Sequence, residues 1–138
     1  MKNILLFILF SLTISISYSS DCVDSDGKDI HEDGDLIIKE ISRIKNCYRA
    51  VDLAKNCSWG ATRDVGTVIA ASEVCEKKFK KNKPSPILHG YQQIMVNACN
   101  NHYENLEGTI YLSLNAYCKL DALLFVYKLS EAALEAEF

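Results

Sequence analysis

The stretch Cys99-Asn100-Asn101-His102-Tyr103-Glu104-Asn105-Leu106-Glu107-Gly108-Thr109-Ile110-Tyr111-Leu112-Ser113-Leu114-Asn115-Ala116-Tyr117-Cys118 reads as a helical hairpin closed by a disulfide. Gly108 is its turn, because glycine ends helices by entering backbone conformations that side chains disfavour. Cys99 lies nine residues before Gly108 and Cys118 ten after it. At about 1.5 Å of rise per helical residue the two cysteines sit level on facing arms. The first arm is a helix over Pro86 to Leu106, with Ile87, Tyr91, Ile94, Met95, Ala98, Cys99, His102 and Tyr103 turned inward. The second runs from Thr109 to about Ala136 and is apolar around much of its girth, at Ile110, Leu114, Tyr117, Leu120, Leu123, Leu124 and Tyr127. That is the pattern of the central helix of a bundle.

Upstream, Pro84 and Pro86 stop an earlier helix, since proline lacks the backbone donor and restricts the residue before it. That helix fits Asp64 to about Lys81, with Val65, Val68, Ile69, Ser72, Cys75 and Phe79 inward. Apolar residues at Leu36, Ile37, Ile41, Ile44, Tyr48 and Val51 then paint one face of a first helix ending near Cys57. Counting from Gly60, in the Ser58-Trp59-Gly60 turn, Cys47 is thirteen residues before and Cys75 fifteen after, so they too sit level. Cys22 is left to tie the N-terminal segment to Cys57. Six cysteines allow fifteen connectivities, and this set is the one that hairpin geometry favours. The predicted fold is therefore all-α, a four-helix bundle-like domain made of two helical hairpins stapled by disulfides, over residues 36–138.

Residues 1–19 read as a cleaved secretory signal: Lys2, an apolar core from Ile4 to Ile16, then Ser17 and Ser19 as the small residues before the cut. Asp21 before Cys22 spoils a lipoprotein acceptor, and no further run reads as long and uncharged enough to span a bilayer. The expectation is a secreted or periplasmic product with no membrane anchor after cleavage. Residues 20–35 form an acidic tail. The 15 basic and 18 acidic residues give a net charge of −3, or −4 once Lys2 leaves with the leader. Mild acidity argues against nucleic acid as a partner.

Chemistry is sparsely written. Pairing all six cysteines leaves no thiolate, and no C-x-x-C pair of zinc-site spacing is present. The cysteine gaps of 24, 9, 17, 23 and 18 residues also lack the short gaps of insect odorant-binding proteins. Asp29-Ile30-His31-Glu32-Asp33-Gly34-Asp35-Leu36-Ile37-Ile38-Lys39-Glu40 has the outline of an EF-hand loop, which makes Asp29, Asp33, Asp35 and Glu40 candidate calcium ligands. Against it, His31 stands where an oxygen ligand belongs, and Asp33 or Asp35 equally suits the cap of the helix that follows. Lys77, Lys78, Lys80, Lys81 and Lys83 read as a solvated helix end offsetting the dipole. His102 reads as a core or boundary residue, and Glu104 and Glu107 as surface acids. No G-x-S-x-G, H-E-x-x-H or glycine-rich phosphate loop occurs.

The segment from Cys99 through Glu107-Gly108-Thr109 to Ala116-Tyr117-Cys118 and Leu120 resembles the C-terminal part of the bacterial LprI-type lysozyme-inhibitor family, small exported helical proteins with a disulfide-closed hairpin. Glu107-Gly108-Thr109 takes the place of the family's glycine-rich turn, while Tyr91 and Met95 stand where the family has tryptophan and arginine. The resemblance implies an exported helical protein that binds a cell-wall enzyme such as lysozyme. The expected function is a disulfide-stabilised binding protein without catalytic activity or resident cofactor, acting on a protein partner. The alternatives are a carrier of a small apolar ligand, suggested by the tyrosines and the apolar fourth helix, and a calcium-binding domain over residues 29–40.

Overall fold

A computed structural model describes residues 21–136; the expected signal segment lies outside them. Among the described residues five helices follow one another: α1 (Gly34–Arg43), α2 (Cys47–Asn56), α3 (Asp64–Lys81), α4 (Pro86–Tyr103) and α5 (Thr109–Ala136). They form an all-helical bundle in which α3 packs against α1, α2 and α5. Three disulfides cross it, Cys22–Cys57, Cys47–Cys75 and Cys99–Cys118. Bridges of this kind belong to an oxidising compartment.

The expected first helix is two. Ile44 turns extended, its φ of −69° and ψ of 133° ending α1, and the Asn46 side chain then accepts from the Arg49 N–H at 3.1 Å to cap α2. Asparagine favours this position because its short carbonyl replaces a missing intrahelical acceptor. Apolar spacing runs unbroken through Ile41, Ile44 and Tyr48, so periodicity alone does not register the break. Beyond it α2 presents Cys47, Ala50, Val51 and Ala54 to the core, all buried. Such small side chains let α3 approach closely.

The acidic tail is not a tail. Val23 and Asp29 form an antiparallel bridge around a turn at Gly27, whose φ is 78°. The Asp24 carboxylate accepts from the Asp26 and Lys28 N–H groups, each at 2.9 Å, and Cys22 and Ile30 reach the core. One aromatic stack clips this loop to the α2–α3 turn. His31 lies parallel to Trp59 at 4.7 Å, the Arg63 guanidinium sits 4.3 Å from the same ring, and Arg63 also donates to the Glu32 carbonyl.

Two inward faces differ from those expected. In α3 the buried set is Asp64, Thr67, Val68, Ala70, Ala71, Val74, Cys75 and Phe79, while Ile69 is exposed. The helix has neighbours on several sides, which rotates its buried arc away from a single stripe. In α4 only Cys99 is buried, and the helix ends at Tyr103 rather than Leu106. It packs along its length on α5 and meets α3 only near its start, where His89 lies edge-on to Phe79 at 5.2 Å, so Ile87, Tyr91 and Ile94 remain 70%, 54% and 66% exposed.

Helix α5 joins the two halves of the domain, packing on α3 and α4. Leu120, Leu123, Val126 and Tyr127 are buried in the core. Contrary to the sequence expectation, α5 is long and apolar enough to cross a membrane by length and composition. The bundle buries only part of it, and Ile110 and Leu114, expected on its apolar girth, are exposed along with Leu112, Phe125 and Leu129.

Candidate functional site

Helix α4 begins at Ser85, whose hydroxyl accepts from the Leu88 N–H, with Pro86 in the first helical position, where its missing donor is not needed. From Pro86 to Tyr103 there is no Asp, Glu, Lys or Arg. An exposed helix without a formal charge is unusual, since solvent faces are normally rich in charged side chains. Where α4 lies against α5 a groove of about 610 Å³ opens. Met95, Ala98 and His102 wall it on one side, Leu114, Tyr117 and Phe125 on the other, and the Cys99–Cys118 bridge joins the arms between them. Asp121 lies at the rim, held at 2.6 Å by Lys55. The volume lies in the range of small-ligand clefts, and the mix of apolar walls with few polar groups is what such clefts share. His102, expected in the core or at its boundary, is exposed and meets Tyr103 edge to face at 4.7 Å.

Two polar centres lie elsewhere, and neither was legible from motifs. Asp64, fully buried at the start of α3, accepts from the Trp59 and Gly60 N–H groups at 2.8 Å each, from Ala61 N–H, and from the Ser58 and Ser113 hydroxyls at 3.1 and 2.6 Å. Burial pushes its carboxyl up. The hydrogen bonds from Ser113, Trp59, Ser58 and Ala61 outweigh that and hold it below the ordinary aspartate value. With both oxygens engaged, this group is an anchor that closes the α2–α3 turn and ties it to α5. A signal was available: an aspartate four residues after Trp59-Gly60, at a helix start, meets a row of unpaired N–H groups.

The second centre is Glu131 on α5, which accepts from Tyr48 at 2.5 Å and also from Tyr127. The Tyr48 phenol is pushed up to about 12, first by the hydrogen bond to Glu131, then by burial and by the charges of Glu131 and Glu135. Burial, followed by Glu131, raises Tyr127 as well. Tyr117, raised chiefly by burial, donates to the Ala54 carbonyl at 2.6 Å. Tyr48 and Tyr117 are rivets between α2 and α5, while the Tyr127 bond stays within α5.

Three of the four candidate calcium ligands have other partners. Asp33 accepts from the Leu36 N–H at 3.0 Å and caps α1, and Asp29 accepts from the His31 N–H at 2.9 Å. Asp35 lies in the first helical turn, and Glu40, nearly buried, pairs with Arg43 at 2.6 Å. Among the described residues no group of three or more histidine, cysteine or acidic side chains is placed to hold a metal ion. Helix α1 starts at Gly34, so the second half of the would-be loop is helical. Of the lysine run, Lys77, Lys80, Lys81 and Lys83 are exposed at or beyond the end of α3, with Lys80 paired to Glu76 at 3.3 Å.

No protein-family model, curated protein or solved structure matches the chain.

Proposed function

We propose that this chain is an exported, disulfide-stabilised binding protein that acts without catalysis, and that its binding site is the groove between α4 and α5. The observation that carries the proposal is that groove of about 610 Å³, set on a hairpin whose first helix bears no formal charge and buries only Cys99. Outward apolar residues on a rigid, disulfide-closed element suit association with another molecule better than they suit exposure to water. The two buried or half-buried carboxylate centres, Asp64 and Glu131, are accounted for by structural hydrogen bonds. The resemblance of the hairpin sequence to lysozyme inhibitors makes a cell-wall enzyme such as lysozyme the partner of choice, met in the periplasm or outside the cell.

Binding to immobilised lysozymes of several types tests this, with Phe125→Glu as the groove variant. Saturable binding by the natural protein that Phe125→Glu abolishes is the expected result. Binding that survives Phe125→Glu removes the groove from the account, and no binding to any lysozyme removes that partner. The apolar lining of the groove supports a second reading, a carrier of a small apolar ligand. Native mass spectrometry would then show a retained mass that Phe125→Glu releases.

A further inference from the structure

A second cavity opens where α3 hands over to α4, and it shares no lining residue with the groove. Lys83 turns the chain there with a φ of 50°, and the Asn82 side chain donates to Ser130 Oγ at 3.1 Å, tying the corner to the end of α5. The space enclosed is about 520 Å³, within the range of small-ligand clefts. Its lining is of two kinds. The corner contributes Lys81, Lys83 and Ser85, while α4 and α5 contribute Leu88, Ala133 and Leu134. We propose that this cavity is a second binding site, for an anionic amphiphile whose carboxylate or phosphate head lies between Lys81 and Lys83 and whose apolar tail lies against Leu88, Ala133 and Leu134.

Charge selects the head. The chain is acidic, yet no carboxylate lines this cavity, whereas the groove carries Asp121 and the cleft between α3 and α5 carries Glu73 and Glu76. The acids nearest along α5 are turned elsewhere: Glu131 accepts from Tyr48 of α2, and Glu135 follows one turn later on the same side. Lys81 and Lys83 are exposed and have no ion-pair or hydrogen-bond partner among the described residues. Offsetting the dipole of α3 accounts for Lys78, Lys80 and Lys81 in its last turn. It does not account for Lys83, which lies beyond the helix in a left-handed conformation that glycine or asparagine adopts more readily. The apolar wall selects the tail. A bare anion gains nothing from Leu88, Ala133 and Leu134, and an uncharged apolar molecule gains nothing from the lysines.

Calorimetric titration of the oxidised, purified protein with decanoate tests the site, on the natural chain and on Phe125→Glu, in which the groove's apolar wall carries a charge. One saturable site in both is the expected result. Decanol supplies the tail alone, decyltrimethylammonium the tail with the opposite charge and inorganic phosphate a head alone; each should bind about tenfold more weakly or worse. At low ionic strength, Lys81→Gln with Lys83→Gln, and separately Ala133→Glu, should weaken decanoate about tenfold. Both variants should keep the natural melting profile, because all three side chains are exposed. Decanol binding as tightly as decanoate, decanoate binding that survives both variants, or no saturable binding overturns the site. Binding that Phe125→Glu removes and the lysine variant keeps belongs to the groove, and overturns it too. With decanoate bound as expected, vesicles of anionic phospholipid separate the sources. Capture that the lysine variant loses makes a lipid headgroup the natural ligand, and no capture makes it a free amphiphile.

Discussion

The first three helices and the α4 arm of the hairpin are built on opposite plans from similar raw material. Over α1 to α3, Ile37, Ile41, Ala50, Val51, Ala54, Ala71 and Phe79 are almost wholly removed from water, two disulfides cross the cluster, and the N-terminal loop folds onto it. In α4, equally apolar residues face out, and Cys99 alone is buried. The difference lies in neighbours. Helix α3 packs closely on three other helices, whereas α4 packs along its length on α5 alone, reaches α3 only where His89 meets Phe79, and is further fixed by its bridge. Apolar periodicity says that a helix has a face to bury; the number of partners decides whether the chain itself buries it.

The sharpest way to break the comparison is to remove equivalent bulk from each region. Phe79→Ala should lose about 4 kcal/mol in denaturant unfolding, as expected for a buried aromatic truncated to alanine. Should Phe79→Ala prove nearly neutral, the N-terminal half would not be the core. Next in size is the paired substitution Cys99→Ala with Cys118→Ala. Opening a bridge of sequence separation 19 should remove about 3 kcal/mol, and the loss should fall locally, with α4 amides exchanging faster while those of α3 stay slow. Equal acceleration across the domain would instead make the hairpin part of one cooperative unit.

Asp64→Asn comes third, at about 2 kcal/mol near neutral pH, because an amide cannot accept all the donors that converge on the carboxylate. Since the folded state holds this carboxyl below its unfolded value near 3.9, its contribution is present above that value and fades as pH falls through the lower, folded one. The stability gap between natural protein and Asp64→Asn should accordingly narrow on strong acidification, which acid titration of unfolding would show. Smallest is Ile94→Glu in dilute solution, expected within about 0.5 kcal/mol of the natural protein, as for surface changes away from packed features. A large loss there would mean that Ile94 itself is packed within the chain.

Much of the frame was legible. The bounds of α3 and α5 follow from periodicity and from the prolines and Gly108, and the Cys99–Cys118 distance follows from counting residues to the turn. The break at Ile44 was not, because apolar spacing continues straight through it and only the Asn46 cap marks it. Nor was the order of residues 21–33. A run rich in Asp and Glu reads as solvated, while its anchors are a single isoleucine, a disulfide and a stacked histidine. The inward face of α4 was misread for a related reason, since a sequence displays an apolar stripe without displaying whether anything covers it. The sign that it is uncovered was present all the same: eighteen residues without a formal charge.

Residue-resolved hydrogen exchange on dilute natural protein tests the division between core and presented hairpin most directly. Exchange of the buried α3 amides at the free energy of global unfolding, with α4 amides opening at distinctly lower free energy, is the result this account expects. Uniform protection across α3 and α4 in dilute solution would contradict it.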